Sequence, residues 1–331
     1  MFVRVSPCRV ARSVLAALAA VFVLALAAAC GGGPAPNGDG SGPVRFALGS
    51  SDVTAVYGPI YYTESKGFFE RNGVDVELQH LSAQAGIPAL INGDVDVIFV
   101  GKGIISAIAE DRNGKVIASL GYNGLELWAR PEITSFDQLV GGTIAATTPG
   151  GVIDDAVKKT ITAHGYTLGR DINIIYLQNA SASLTTLAGG QVEAAVLSPP
   201  ATVMATSRGL NFIENVERAA APGVLAVNGR FLADHPDVVE RFLRALREGY
   251  EAAVADEPGI VDALLAASPT LERGLTEASV GRFATSWQVT AYPEEVARET
   301  LQENRATADV DVATVLDNRF IEAVGSYVPQ G

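Results

Sequence analysis

Residues 89–101 read ALINGDVDVIFVG, and 97 positions later residues 186–198 read TLAGGQVEAAVLS. Leu90, Gly93, Val95 and Asp96 fall on Leu187, Gly190, Val192 and Glu193. The agreement extends upstream. GVDVEL (73–78) lies 98 positions before DINIIY (171–176), and RFALGSS (45–51) has its counterpart in TIAATTPG (143–150). Each copy reads strand, loop, helix, strand, loop, helix, strand. Solenoid repeats run roughly 20–50 residues, so a period near 97 is instead the size of a small α/β lobe. Two similar lobes in one chain imply a cleft between them, where small ligands bind preferentially.

The local signals fill in this frame. VRFAL (44–48), VDVEL, VDVIFVG, KVIASLGY and LELWAR read as strands, and a helix is expected over 60–71, stopped by Asn72-Gly73. Further helices are expected over 103–111, 152–163, 184–188 and 201–207. Strands alternating with helices at this spacing give a mostly parallel sheet flanked by helices in each lobe. Beyond Gly223 one strand, GVLAVNG, is followed by helical sequence. There Val239, Phe242, Leu246, Tyr250 and Val254 recur every three to four residues. The expected organisation is an α/β chain with lobe 1 over 44–125 and 225–331 and lobe 2 over 135–217. Crossings at 126–134 and 218–224 would form a hinge.

Arg4, Arg9 and Arg12 precede a 16-residue apolar run over 14–29, which ends at Cys30. A membrane span needs about 20 apolar residues, so this run suits a secretory signal peptide over 1–29. LAAAC resembles a lipobox in which Cys30 is lipidated, although Leu26 stands four residues before the Cys, where the motif prefers three. Ordinary cleavage after Ala27-Ala28-Ala29 is the alternative. Residues 30–43 form a Gly/Pro-rich tether, as an anchored terminus requires. The expected location is the extracytoplasmic face of the cell membrane, with the chain held there by lipid. The net charge of −13 argues against nucleic acid and anionic membrane surfaces as partners. Cys8 and Cys30 are the only cysteines, so no disulfide staples the folded part.

Enzyme signatures such as G-x-S-x-G, H-E-x-x-H, Walker A and C-x-x-C are absent. His80, His164 and His235 are scattered, and neither a metal nor a cofactor is expected. Gly101-Lys102-Gly103 has the look of a phosphate loop without its Ser/Thr; a tight strand-to-helix turn accounts for it. What recurs is a strand running into small or hydroxyl residues before a helix: Gly49-Ser50-Ser51, Ser82-Ala83, Gly101-Lys102-Gly103, Thr147 to Gly151, Ser181-Ala182-Ser183 and Ser198-Pro199-Pro200. Each such loop offers unpaired N–H groups at the edge where open α/β folds bind ligands, although Ser and Thr also serve as plain N-caps. The candidate ligand-binding residues are Ser50, Ser51, Asp52, Tyr57, Gly101, Lys102, Thr148, Gly150, Gly151, Ser183, Ser198 and Trp287, with Tyr122 a further aromatic candidate. Asp154 and Asp155 occupy a first helical turn, where the helix dipole explains them.

The stretches YGPIYYTESKGFFERNGVDVEL (57–78), PALINGDVDV (88–97), SFDQLVGGTIAATTPGG (135–151), TTLAGGQVEAAVLSPP (185–200) and NGRFLADHPDVVERFLRAL (228–246) carry a resemblance. In order and spacing they are similar to the extracytoplasmic substrate-binding proteins of ABC importers, in the branch serving nitrate, sulfonates, taurine and thiamine-pyrimidine precursors. The resemblance implies a two-lobed periplasmic-binding-protein fold, here a monomer, that closes on a small solute and hands it to a membrane permease. One relative is a pyrimidine synthase that uses a Cys-rich motif, which this chain lacks. An enzyme on this fold and a solute-sensing lipoprotein are the other readings. The solute expected from the hydroxyl- and N–H-rich loops is a small organic anion such as a sulfonate or carboxylate.

Overall fold

The computed structural model describes residues 42–50, 53–121, 125–216, 222–283 and 287–329. The first copy runs β1 (Val44–Leu48), α1 (Gly58–Ser65), α2 (Phe68–Arg71), β2 (Val76–His80), α3 (Ala83–Asn92), β3 (Val97–Val100), α4 (Gly103–Asp111) and β4 (Gly114–Leu120). The second runs β5 (Glu126–Ala129), β6 (Thr143–Ala146), α5 (Val152–Ala163), β7 (Asn173–Tyr176), α6 (Ala180–Ala188), β8 (Ala194–Leu197), α7 (Ala201–Ser207) and β9 (Asn211–Asn215). There follow β10 (Gly223–Asn228), α8 (Gly229–Asp234), α9 (Pro236–Val254), α10 (Glu257–Ala267), α11 (Arg273–Phe283), β11 (Val289–Thr290), α12 (Glu294–Glu303) and α13 (Arg319–Val324). The single helix expected over 60–71 is two helices. Gly67, at φ +70°, turns the chain between them, and the N–H groups of Lys66 and Gly67 close on the carbonyls of Tyr62 and Glu64.

The strands form two sheets, in the orders β11-β4-β10-β3-β1-β2 and β7-β6-β8-β5-β9. In each, three strands pair in parallel (β2-β1-β3 and β7-β6-β8), and the next strand joins antiparallel, β10 in the first sheet and β5 in the second. Both sheets are therefore mixed, with the parallel half supplied by the repeat.

The repeated motif has the same physical job in both copies. Asp96 Oδ2 accepts the Arg45 N–H at 2.9 Å while the Arg45 carbonyl accepts the Asp96 N–H at 3.0 Å. Glu193 Oε2 accepts the Thr143 N–H at 2.8 Å, and the Thr143 carbonyl accepts the Glu193 N–H at 3.1 Å. Gly93 and Gly190 make the preceding turn at φ +84° and +69°, a region that disfavours a Cβ. Leu90, Val95, Leu187 and Val192 anchor that turn in the cores.

Helices cover both faces of each sheet. Phe46, Leu48, Val97 and Phe99 point to the face carrying α1, α9 and α10, and Ala47, Ile98 and Val100 point to the face carrying α3, α4 and α12. This period-2 split is what a doubly covered sheet requires. The stripe read on α9 is in place: Val239, Phe242, Leu246 and Tyr250 are buried against the first sheet. In the second sheet Ile144 and Ala146 face α5, while Ala145, Ala195 and Leu197 face α6 and α7.

Residues 126–129, expected within the first crossing of 126–134, are instead β5, hydrogen-bonded on both sides to β8 and β9, so the chain has entered the second sheet by Glu126. It returns between Asn215, the end of β9, and Gly223, the start of β10. Gly223 pairs with Leu120 and Glu126 pairs with Asn215, so in each sheet the strand that leaves lies beside the strand that enters.

Replacing Asp96 by Ala removes the acceptor for the Arg45 N–H and the Arg45 guanidinium. The expected loss is about 1–3 kcal/mol of unfolding free energy in a urea titration, and an unchanged midpoint would deny the tie its role.

Candidate functional site

The C-terminal ends of the parallel strands of both sheets face a common cleft, and two adjoining cavities fill it. One, of about 310 Å³, has an apolar wall of Ile87, Phe99, Val100, Val152 and Ile153. The other, of about 580 Å³, is lined by polar groups including Ser50, Thr54, Ser82, Gln178, Asn179 and Ser198. They share Gly49, Tyr57, Ala83, Gln84, Thr147, Thr148 and Pro149. Among the described residues neither cavity is lined by an Asp, Glu, Lys, Arg or His. What that lining offers a solute is backbone N–H groups, hydroxyls and side-chain amides.

The starts of α3, α5 and α6 meet at this cleft, and first-turn N–H groups have no partner within a helix. Ser82, the N-cap of α3, makes no capping bond. Asn179 caps α6 by accepting the Ala182 N–H at 2.9 Å, so part of that terminus is used internally. The α5 terminus is used more heavily. Asp154 Oδ2 accepts the Gly150 N–H at 2.7 Å and Lys158 Nζ at 2.7 Å, and its Oδ1 accepts the Tyr176 hydroxyl at 2.8 Å. Burial, reinforced by that hydrogen bond to Asp154, pushes the Tyr176 phenol above its ordinary range.

The expected site residues divide accordingly. Tyr57 and Thr148 line both cavities, Gly101, Gly150 and Gly151 the apolar one, and Ser50 and Ser198 the polar one. Tyr57 is held edge-on to Phe99, with ring centroids 5.7 Å apart. The Ser50 loop is tied down from behind by His80. Its Nδ1 donates to the Ser50 carbonyl at 3.2 Å, leaving Nε2 to accept from the Tyr61 hydroxyl. Gly150 lines the cleft without offering its N–H, because Asp154 takes it.

Three expected contacts are corrected. Lys102 is buried in an ion cluster with Asp155 and Glu303, where its charge is already satisfied. Ser183 lies inside α6, fully buried, donating to the Asn179 carbonyl at 3.3 Å. Trp287 is 1% exposed in the core of the first sheet, stacked on Phe283 at 6.0 Å. Ser51, Asp52, Tyr122 and Cys30 lie outside the described residues. The sequence reading missed Gln84, Gln178, Asn179 and Tyr176. All four stand at or just beyond the ends of β2 and β7, strands that the repeat makes equivalent.

A family model described as NMT1/THI5 like matches residues 54–258, well over half of the chain. The chain belongs to the NMT1/THI5-like family. Among curated protein sequences none matches it. The alkanesulfonate-binding protein SsuA from Xanthomonas axonopodis pv. citri bound to MOPS is similar at TM-score 0.67 and 17% identity, over 83% of this chain and 98% of that one. The nitrate-binding protein NrtA from Synechocystis PCC 6803 is similar at TM-score 0.68 and 14% identity, covering 85% and 88%. A Candida albicans protein described as having the generic periplasmic binding protein fold gives TM-score 0.62 at 14% identity, covering 83% and 96%. These likenesses establish the fold of this NMT1/THI5-like protein as that of the periplasmic binding proteins.

Replacing Asp154 by Ala should free Gly150 and Tyr176 together. The Tyr176 phenol pKa is expected to fall toward its ordinary value, read from the ring-carbon shifts of labelled tyrosine. A pKa that does not move would separate Asp154 from the cleft wall.

Proposed function

We propose that this NMT1/THI5-like protein is the extracytoplasmic solute-binding component of an ABC importer, a binding protein rather than an enzyme. In this reading it is anchored by a lipid on Cys30 and delivers a small organic anion, a sulfonate or carboxylate, to a membrane permease. The observation that carries it is the two-part cleft between the two sheets, lined among the described residues by neutral donors, with the strand ends Leu120 and Gly223 paired in one sheet and Glu126 and Asn215 in the other where the chain crosses twice. Such crossings act as a hinge, absorbing rotation while each lobe stays rigid. The acidic chain gives an anion no long-range attraction, so affinity comes from short N–H and O–H bonds in a closed, dry cleft. The charged end sits against the starts of α3 and α6, with Thr148 and Ser50 beside it. The carbon part faces Ile87, Phe99 and Val152, and Tyr57 packs between the two. An acid/base role finds no support in the described lining, which carries neither carboxylate nor imidazole.

A neutral solute is the second reading. It is favoured by the absence of any cationic side chain from the described lining, and by the Gly150 N–H being taken by Asp154.

Calorimetric titration with ethanesulfonate, taurine, nitrate and pyrimidines decides between them. On the anion reading Thr148→Ala weakens sulfonate binding roughly tenfold to a hundredfold, the worth of one hydrogen bond to a charged group. Ser82→Asp abolishes it by placing a like charge at the start of α3, where the charged end sits. Binding of pyrimidines alone would overturn the anion reading.

The anchor has its own test. Cys30→Ala should move the protein from the membrane fraction to the soluble one, and a variant that stays with membranes removes the lipid from the proposal.

A further inference from the structure

The Gly101-Lys102-Gly103 turn has the look of a phosphate loop in sequence, but its geometry serves the meeting of the lobes. A Cβ on Gly101 would stand 3.2 Å from Val152 Cγ2, and one on Gly103 would stand 3.8 Å from the Gly150 carbonyl oxygen. At Gly101 that approach is tighter than a side chain ordinarily meets, while at Gly103 it is an ordinary contact, so Gly101 is the glycine that lets the second lobe come close at this point. Between them, Lys102 reaches across. Its Nζ donates to Asp155 Oδ1 on α5 of the second lobe at 2.6 Å, and to Glu303 Oε1 and Oε2 on α12 of its own lobe at 2.9 and 2.8 Å. Lys159 stands 3.3 Å from the other Asp155 oxygen. The Lys102 and Asp155 side chains are only 9% and 7% exposed. The buried Tyr292 hydroxyl, without a hydrogen-bond partner, lies in the field of both carboxylates.

We infer that this turn is a closure latch: the Lys102–Asp155 pair, backed by Glu303, holds the lobes together from protein atoms alone, whether or not the cleft is filled. The inference rests on the two-lobed hinge of the proposed function and not on the identity of the solute. Three hydrogen bonds saturate the ammonium, which a buried charge needs if its desolvation is to be offset. Burial works against the charged form, but the bonds to Asp155 and Glu303 outweigh it and raise the Lys102 pKa above the ordinary lysine value. The Lys102 ammonium is thus charged throughout the neutral range. Burial also shields it from salt. The other cross-lobe ion pair among the described residues, Arg282 with Glu126, stands at the start of β5 beside the crossing, where hinge rotation moves groups least. The latch is joined instead to the strand–helix turns of the two lobes. A latch of this kind raises apparent affinity by keeping the competent state populated: if the closed fraction falls about tenfold, affinity falls about tenfold with it.

Small-angle scattering of the solute-free protein lacking residues 1–29 reads the latch directly. Wild type and Glu303→Gln should give the same compact radius of gyration, near the ~19 Å of a folded chain of this length. Asp155→Asn and Lys102→Gln should each be measurably larger, and Gly101→Val should be larger still by wedging against Val152. A solute-free wild type as expanded as Gly101→Val overturns the latch. So does an unchanged radius in both charge variants. Neither result touches the solute-binding reading, which stands or falls on calorimetry.

Discussion

Each sheet hangs on one tie between a carboxylate and a strand start. Asp96 and Glu193 sit just before or at the opening of the central parallel strands and grip the backbone of β1 and β6 through paired hydrogen bonds. A slip of one residue in a strand would turn every side chain to the wrong face. In sheets buried on both sides such a slip exposes one core and overfills the other. The tie fixes register at the strand starts, so it also fixes where the strands end. Those ends carry the loops of the cleft, and Gly49, Gly101, Thr147 and Ser198 owe their positions to it.

The antiparallel strand in each sheet follows from how the chain travels. It leaves the first sheet after β4, and its first strand in the second, β5, runs antiparallel; it leaves again after β9, and β10 returns antiparallel. Each entering strand is placed beside the strand that departs, β10 against β4 and β5 against β9. The strand ends from which the chain departs and to which it returns are consequently neighbours in each sheet. The Gly101 and Gly151 backbones meet at the cleft.

Much of this was legible in the sequence because it is periodic and local. The repeat gave the order of strands and helices, and α4, α5 and α7 span the residues expected of them. What was not legible depends on long-range partners. β5 looks like a linker strand until β8 and β9 are seen on either side of it. Lys102 was flagged by the glycines around it, but its partners lie 53 and 201 positions away and no local pattern announces them. Trp287, in a polar stretch, gives no sign of the space beside Gly58 that its ring fills. Asp154 could be read as a dipole partner of α5. That it turns back to occupy the Gly150 N–H and the Tyr176 hydroxyl is a fact of three dimensions.

That contact of Asp154 gives the cleft a direction. A helix start is ordinarily a place for an anion, and here the protein's own carboxylate fills that role for α5. An added anion there would find the Gly150 N–H already taken by Asp154, whose own charge is paired with Lys158 at 2.7 Å behind the cleft wall, so α5 has little left to offer it. The starts of α3 and α6 carry no such internal carboxylate, and Ser82 leaves its capping capacity unused. In the proposed reading the charged end of a solute is therefore steered away from α5, toward Ser82, Gln84 and Ser181, and its carbon end falls against Val152 and Phe99. A closed cleft of this kind selects by orientation as well as by charge. A doubly charged solute would have to place one of its charges at the end that Asp154 already holds.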